Sequence, residues 1–499
     1  MASFADGRLV VSGQDGSTKT VPENELLFIV EGQKAEGEAA GAVYRIYSLH
    51  EATPAADSSD AGAPAPLPKY ELSTALLLGQ DVQKLPQDFL KKHLLTGTPL
   101  VLPSASSPLH VVVSTGSGLR QAKPFYDGVL APLLQDAFSL TADHGENKES
   151  SSASSGNAGN VYSLLITKSK ESVTSFAHTL HGPSAQSTQK SPTIILLSGD
   201  GGIVDLLNGV SSDSGALGAS PHLDPTIALL PLGTGNALFH SLHKPAYEAD
   251  AAATAASGTA APSPLVHGLR TLFRGRPAPL PSFEASFAPG SHTVDYTAAA
   301  GDASVLQQGG KSIERLQGAI VASYGFHAQL VWESDTPEYR KHGDARFGIV
   351  ASELIKKSHA YSTDVSLIDT GDSAAEPQAH SIGHEFNYVL ATLVSELQQG
   401  FTISPASQPL DGQLRLVHFG AVGGSRTMEI MMLAYNKGAH VKEGDVGYEA
   451  IDEVEIKILE QDPRWRKVCI DGTIVEIPQG GWMKVRKAAR PVLNVITTV

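Results

Sequence analysis

At 499 residues, 41% of them apolar, the chain exceeds what one hydrophobic core usually supports and predicts two domains plus extensions. With 52 acidic residues against 37 Lys and Arg, the net charge is −15, which excludes an ordinary nucleic-acid binder and argues against holding an anionic membrane by charge. The one cysteine, Cys469, leaves no intramolecular disulfide. A start without a basic-then-apolar leader, and the lack of any run long enough to span a bilayer, predict an intracellular, soluble chain with no transmembrane segment.

In chain order, Leu27–Val30 and Val43–Tyr47 read as short strands of a small β-rich extension over residues 1–100. The extension includes a linker, Glu51–Pro66, rich in Ala, Pro, Ser and Asp. From Leu109, strand-like and helix-like segments alternate: Leu109–Val113, Phe125–Leu134, Val161–Thr167 and Ser172–Leu180, then two apolar runs that each end in glycines. Residues 107–247 therefore predict an α/β domain with a mostly parallel sheet. Lys148–Asn160 and Glu248–Pro264 read as loops, too poor in large apolar residues to repay ordering. Beyond Leu265 strands dominate, at Gly318–Ser323, Phe386–Val394, Gln413–Phe419, Val454–Leu459 and Val468–Val475, with helices near Asp344–Ser358 and Thr427–Lys437. Residues 265–490 thus form a second, β-rich domain.

The two glycine runs carry the chemistry. Thr193–Leu197 leads into Ser198-Gly199-Asp200-Gly201-Gly202, and Thr226–Leu230 leads into Leu232-Gly233-Thr234-Gly235-Asn236. Each reads as strand, tight turn, helix. Glycine lets the backbone approach a bound group, and the N–H groups opening a helix form an anion site. Two such turns side by side predict a phosphate crevice at the carboxyl end of a sheet. A carboxylate there, Asp200, is repelled by phosphate unless it handles a proton or a metal, which points to phosphoryl transfer.

SGDGGIVDLLNG followed by LPLGTGN resembles the catalytic domain of the diacylglycerol and sphingosine kinases, whose first motif is usually written GGDGT-x-x-E-x-x-NG. Ser198 and the run Gly233 to Leu238 are closest to the sphingosine kinase text. Tyr324-Gly325-Phe326-His327-Ala328, Glu338-Tyr339-Arg340-Lys341 and Arg346-Phe347 are similar to a third family stretch, GF-x-A…EKYRR-x-G-x-x-RF. The matches keep the family's order and cover roughly Leu109 to Val485. The resemblance implies a nucleotide-binding α/β domain followed by a β-sandwich lipid-binding domain, with ATP and Mg²⁺ as cofactors.

It also implies roles residue by residue. Asp200 would be the catalytic base, accepting the proton of the lipid hydroxyl. Ser114, Ser117 and Gly118 stand where the family has NP-x-SG, Ser114 and Thr115 replacing Asn-Pro, and Thr167 ends the next strand beside them. With Ser198, Gly199, Gly201, Gly233, Thr234, Gly235 and Asn236 they would bind the nucleotide. Arg340 and Arg346 would clamp its phosphates, for which a guanidinium offers a charged fork of donors; a solvated mixed-charge helix face is the alternative. Asp471 and Gly472 match the family's late DGE turn, with Thr473 in place of Glu, and also suit a plain hairpin. Asn208 and Gly209 match the motif and would close its helix. Gly202 stands where diacylglycerol kinases have Thr, and Asp205 where Glu is usual. The acid that pairs with the substrate amine in sphingosine kinases is replaced by Val331, so Glu333 or Asp335 would substitute. Residues ligating a metal stay unassigned. Trp482, Lys484, Arg486, Lys487 and Arg490 form a basic tail, read as a charged strand edge or a contact for acidic headgroups.

The expectation is an ATP-dependent lipid kinase acting on a sphingoid base, with diacylglycerol or ceramide as alternatives. It would be cytoplasmic and visit a membrane surface to meet its lipid. An NAD kinase or a non-catalytic binder of lipid or nucleotide are further alternatives.

Overall fold

The fold is that of a computed structural model, which describes residues 1–12, 17–32, 42–52, 67–104, 107–143, 160–180, 191–212, 224–294, 296–299, 302–308, 310–343, 345–369 and 378–498. It is mixed α/β, with a seven-stranded sheet that is parallel but for one edge and a twelve-stranded antiparallel sheet.

The parallel sheet runs, from one edge, Arg276–Pro279, Asn494–Thr497, Thr226–Pro231, Thr193–Ser198, Leu109–Val113, Val161–Ile166 and Thr141–Asp143. Arg276–Pro279 is its antiparallel member. Thr193–Ser198 lies at the centre and is buried along its whole length, as β-branched and Leu-rich strands covered on both faces are. Both glycine turns leave from carboxyl ends on one side of this sheet. The strand Asn494–Thr497 had no counterpart in the predicted elements. It pairs in parallel with Thr226 and Ile227, so the chain returns to its first sheet after completing the second.

The tract from Glu248 to Pro264 is not the predicted loop. Helix Ala237–Ser257 runs through most of it and ends at Gly258, in the left-handed region; Pro264 then opens helix Pro264–Arg274, capped by Ser263. Alanine, the strongest helix former, outweighs the low apolar content once the helix is anchored by its buried first turns. The segment Phe125–Leu134 is helical within Ala122–Phe138, with one wide π turn at Tyr126–Leu130. Of Lys148–Asn160 only Asn160 falls within the described residues, and of Glu51–Pro66 only Glu51 and Ala52 do, both ending strand Val43–Ala52.

The second half of the chain folds as one continuous, curled antiparallel ladder instead of two separate sheets. The fifteen-residue strand Gln378–Thr392 makes this possible, because it pairs with three neighbours: Val321–Gly325, Tyr361–Asp369 and Arg415–Gly420. Its alternation sorts the two faces. Tyr388 and Leu390 pack with helices Phe326–Ser334, Ala345–Lys357 and Gly424–Ala434, while Val389 and Ala391 enter the core on the sheet's other side. The basic tail is no edge. Strand Trp482–Lys487 lies between Glu453–Ile458 and Phe283–Phe287, and Lys484 and Arg486 pair across it with Glu455 (2.7 Å) and Glu284 (2.8 Å).

The first hundred residues form two three-stranded antiparallel sheets, Ala2–Ala5, Arg8–Ser12, Thr18–Pro22 and Leu26–Glu31, Val43–Ala52, Lys69–Leu78, followed by helix Gln87–His93. Leu26, Ile29, Ile46 and Leu77 fill their own core. The opposite face, Leu27, Phe28, Tyr47 and Leu49, is buried with Phe125, Leu133 and Phe273 in the core flanking the parallel sheet. The buried Arg270 guanidinium donates to the Glu23 and Leu26 carbonyls, at 2.6 to 2.9 Å, and fixes the join.

Candidate active site

Three turns converge at the carboxyl ends of three adjacent parallel strands. They meet backbone to backbone. A Cβ placed on Gly233 would lie 2.2 Å from the Gly199 Cα, and one on Gly118, whose φ is +48°, would lie 2.7 Å from the Leu232 carbonyl oxygen. Side chains at these positions would wedge the turns apart, which is the physical reason for the glycines. Asn236, itself at φ 52°, clasps the second turn: its Oδ1 accepts the Gly233 N–H and its Nδ2 donates to the Gly233 carbonyl, both at 3.0 Å. Hydroxyls line the first turn. Ser117 Oγ donates to Ser114 Oγ (2.7 Å) and lies 3.1 Å from Ser198 Oγ, while the Thr115 N–H donates to Thr167 Oγ1 at 3.0 Å. Gly201 and Thr234 stand at the accessible tips.

Asp200 begins helix Asp200–Ser212, and its carboxylate reaches the start of the next helix. Oδ2 accepts the Ala237 N–H at 2.8 Å and Oδ1 the Leu238 N–H at 3.2 Å. Burial pushes this carboxyl up to about 6, and the two N–H bonds hold it from rising further. It is therefore mostly ionised at neutral pH but close to exchanging its proton. A side chain at Gly235 would crowd it, since a Cβ there would sit 3.6 Å from Oδ2 and 3.2 Å from the Leu397 carbonyl.

Asp471 and Gly472 occupy a two-residue hairpin turn between Lys467–Ile470 and Thr473–Glu476, with φ 46° and 90°. The turn also serves the site. The buried Asp471 carboxylate accepts the N–H groups of Ala319, Ile320 and Val321, and burial pushes it up to about 7, the charge of Asp200 adding to the rise. Asp471 thus organises the segment between strands Arg315–Gly318 and Val321–Gly325, within the electrostatic reach of Asp200.

The other predicted residues lie on the helical layer of the second sheet. Arg340 makes a two-pronged pair with Asp335, at 2.8 and 2.7 Å. Arg346 opens helix Ala345–Lys357 with its guanidinium over the Phe347 ring, 4.9 Å from the centroid. Between them, a Cβ on Gly343 would lie 3.8 Å from Leu119, just after the first turn, so this segment abuts that turn. Glu333 is engaged by Gln329 and by both donor arms of Arg464. Val331 packs on an apolar cluster of Val294, Ala328, Cys469 and Ile474. Among the described residues neither Glu333 nor Asp335 touches the Asp200 turn.

Two motif positions do something the sequence did not indicate. Helix Asp200–Ser212 does not close at Asn208-Gly209 but continues, because neither residue leaves helical geometry. Asn208 instead joins the two sheets: its Nδ2 donates to the Gln317 carbonyl at 3.0 Å and its Oδ1 accepts the Gln317 N–H at 2.9 Å. Gly209 allows close packing, since a Cβ there would meet Ala177 Cβ at 2.4 Å. Asp205, where Glu is usual, is pushed up to about 6 by burial and by Glu171. The signal for Asn208 was present in the motif text, but a side chain that reads a distant backbone has no local signature.

Residues 108–267 match the diacylglycerol kinase catalytic domain. That segment is a lipid kinase catalytic domain. The match spans all three turns, Asp200 and helix Ala237–Ser257, and ends within helix Pro264–Arg274. No curated protein matches the sequence significantly. Among solved structures, a candidate diacylglycerol kinase from Bacillus anthracis strain Sterne is 13% identical, with a TM-score of 0.47 and coverage of 79% of this chain and 95% of that one. A second structure from the same strain, described as a diacylglycerol kinase, is 11% identical, with a TM-score of 0.42 and coverage of 79% and 98%. The lipid kinase also has, among the described residues, no helix long and apolar enough to cross a membrane.

Proposed function

We propose that this lipid kinase transfers the γ-phosphoryl group of ATP to the hydroxyl of a lipid without a cationic headgroup, of the diacylglycerol or ceramide class, at a membrane surface. The observation that carries the acceptor class is that Val331 packs on an apolar cluster while, among the described residues, the neighbouring Glu333 is held by Arg464. An ammonium brought there would lose water without gaining a partner.

In the reaction, the lipid oxygen attacks the γ-phosphorus as the bond to the β,γ-bridging oxygen breaks, and ADP leaves. The hydroxyl proton passes to Asp200, whose raised pKa suits a base working near neutrality. The turn N–H groups that Asp200 and Asn236 do not already engage would face the phosphates, and Arg340 and Arg346 would add charge from the other side of the cleft. Mg²⁺ enters with ATP as part of the substrate, held chiefly by phosphate oxygens and water. Arg340 must leave Asp335 to reach a phosphate; the pair is half exposed, so the exchange costs little.

The test is labelled-ATP transfer to diacylglycerol, ceramide, sphingosine and NAD in mixed micelles. Phosphorylation of the neutral lipids with little on sphingosine supports the reading; transfer to NAD alone, or to no acceptor, overturns it. The second reading, a sphingoid base, is favoured by the Ser198 opening and the Gly233 to Leu238 text. It requires that Glu333→Gln or Asp335→Asn depress sphingosine phosphorylation selectively.

A further inference from the structure

Two departures from the diacylglycerol kinase motif, Ser198 for Gly and Gly202 for Thr, are one change in space. Gly202 lies in the first turn of helix Asp200–Ser212, directly above the end of strand Thr193–Ser198. A Cβ on Gly202 would come within 2.5 Å of Ser198 Oγ and 2.9 Å of Ser198 Cβ. Ser198 therefore fills the volume that a side chain at 202 would take, and a hydroxyl carried there by the helix is here carried by the strand.

The hydroxyl has a defined direction. A serine has one proton to give. Ser117 gives its proton to Ser114, at 2.7 Å, so in the 3.1 Å contact between Ser117 and Ser198 the donor must be Ser198. The chain runs Ser198 to Ser117 to Ser114. Ser114 is left with its own proton, for which the described residues supply no acceptor. It sits directly after strand Leu109–Val113, and its N–H is already bonded to the Leu197 carbonyl at 3.0 Å. Each hydroxyl in such a chain polarises the next, so the terminal O–H is a better donor than an isolated serine.

We infer that Ser198, Ser117 and Ser114 form a directional donor chain that presents the Ser114 hydroxyl to an oxygen of the bound nucleotide, with Ser198, buried beneath Gly202, as its positioning residue. The inference rests on the lipid kinase reading of this cleft and adds the part that makes it tolerate glycine at 202. A chain of this kind suits the anionic oxygens of a nucleoside triphosphate, which offer acceptors only. It also replaces the amide of the family's Asn at position 114 with a hydroxyl fed from behind.

The experiment is calorimetric titration of the full chain with the magnesium complex of a non-hydrolysable ATP analogue. Ser114→Ala removes the terminal donor and Ser198→Ala the head of the chain; each should weaken binding about tenfold. The double variant should be no more than about twofold worse than either single one, because the three hydroxyls act as one unit. Ser198→Gly with Gly202→Thr should restore affinity to within about twofold, whereas Gly202→Thr alone should destabilise the fold by collision with Ser198. Unchanged affinity in Ser114→Ala, additive losses in the double variant, or a stable Gly202→Thr single variant would each overturn the chain. If Ser198→Ala does not fold, Ser114→Ala and the compensated pair still decide the matter. Failure of the wild-type protein to phosphorylate any lipid would instead overturn the functional reading, whatever the titrations gave.

Discussion

Asp200→Asn separates the cap that the carboxylate supplies to a helix from the proton acceptance proposed for it. The amide keeps the shape and one acceptor oxygen, which can still take the N–H of Ala237 or Leu238, but its NH₂ group then faces the other N–H. Losing that bond costs about 1–3 kcal/mol. Against this stands the cost of keeping a buried carboxylate charged. Its pKa is raised from 3.8 to about 6, which makes ionisation at pH 7 about 3 kcal/mol harder in the fold than in the unfolded chain. The sign follows directly. Below pH 4 the group is protonated in both states and the penalty is absent; it grows as pH rises from 4 to 6 and is complete above that. The Asn variant should therefore be as stable as wild type, or more so, in denaturant titration at pH 7, with the difference shrinking at pH 4.5. Its turnover should fall about 100-fold or more in the labelled-ATP assay, the usual scale for a lost general base. Wild-type kcat/KM should drop about tenfold per pH unit below pH 6, and the residual activity of the variant should lack that limb. Near-normal turnover would refute the assignment of Asp200 as base. A large loss of stability at pH 7 would show that the charge is there for the helix.

Asn208→Ala leaves both backbone groups of Gln317 without their partner at the join between the sheets, and should cost about 2–4 kcal/mol in denaturant unfolding; a loss below about 0.5 kcal/mol would remove Asn208 from the join. Arg346→Ala and Arg340→Ala should each raise KM for ATP by about tenfold or more, the scale of a charge-assisted phosphate contact, with little effect on KM for lipid; unchanged ATP kinetics in both would return this segment to an ordinary charged helix face. The buried imidazoles His240 and His243 are held down to about 4 by burial, against a usual 6.5. The unfolded chain binds their protons first, so the stability they permit is intact above pH 6.5 and is lost progressively down to about pH 4. Replacing His243 by Gln should flatten the fall in denaturation midpoint between pH 6.5 and 4.5; an unaltered slope would mean these groups do not set the acid limit.

The centre of the parallel sheet and its turns were legible because Thr193–Ser198 and Thr226–Pro231 are local apolar runs leading into glycines, and the turn chemistry lies within five residues. Ser198, Gly199, Gly233 and Asn236 needed no distant partner to be recognised. The sequence was silent where one residue serves another far along the chain: Asp200 capping a helix 37 residues later, Asp471 collecting three N–H groups some 150 residues earlier, and Asn208 reading Gln317. The Ala-rich helix was misread for a related reason. Its composition lacks large apolar residues, but its first turns are held by Asp200, and propensity carries it onward from that anchor. The N-terminal sheets were recognised as strands, yet their second apolar face, Leu27, Phe28, Tyr47 and Leu49, gives no hint in sequence of which core it enters. Val331 could be counted off against a motif; that Glu333 and Asp335 were already taken by arginines could not.

The return of strand Asn494–Thr497 to the first sheet has a consequence for synthesis. Strand Thr226–Pro231 leaves the ribosome about 260 residues before the neighbour that will pair with its outer side. At roughly 5–20 residues per second, its edge stays open for some 13–50 s. An unpaired, largely buried-type edge such as Thr-Ile-Ala-Leu-Leu-Pro invites pairing with another chain during that interval. The nascent protein should therefore depend on chaperones until strand Asn494–Thr497 is made, and a release of the chain before residue 494 would yield an aggregating fragment even though every residue of the candidate site up to Asp471 had been translated.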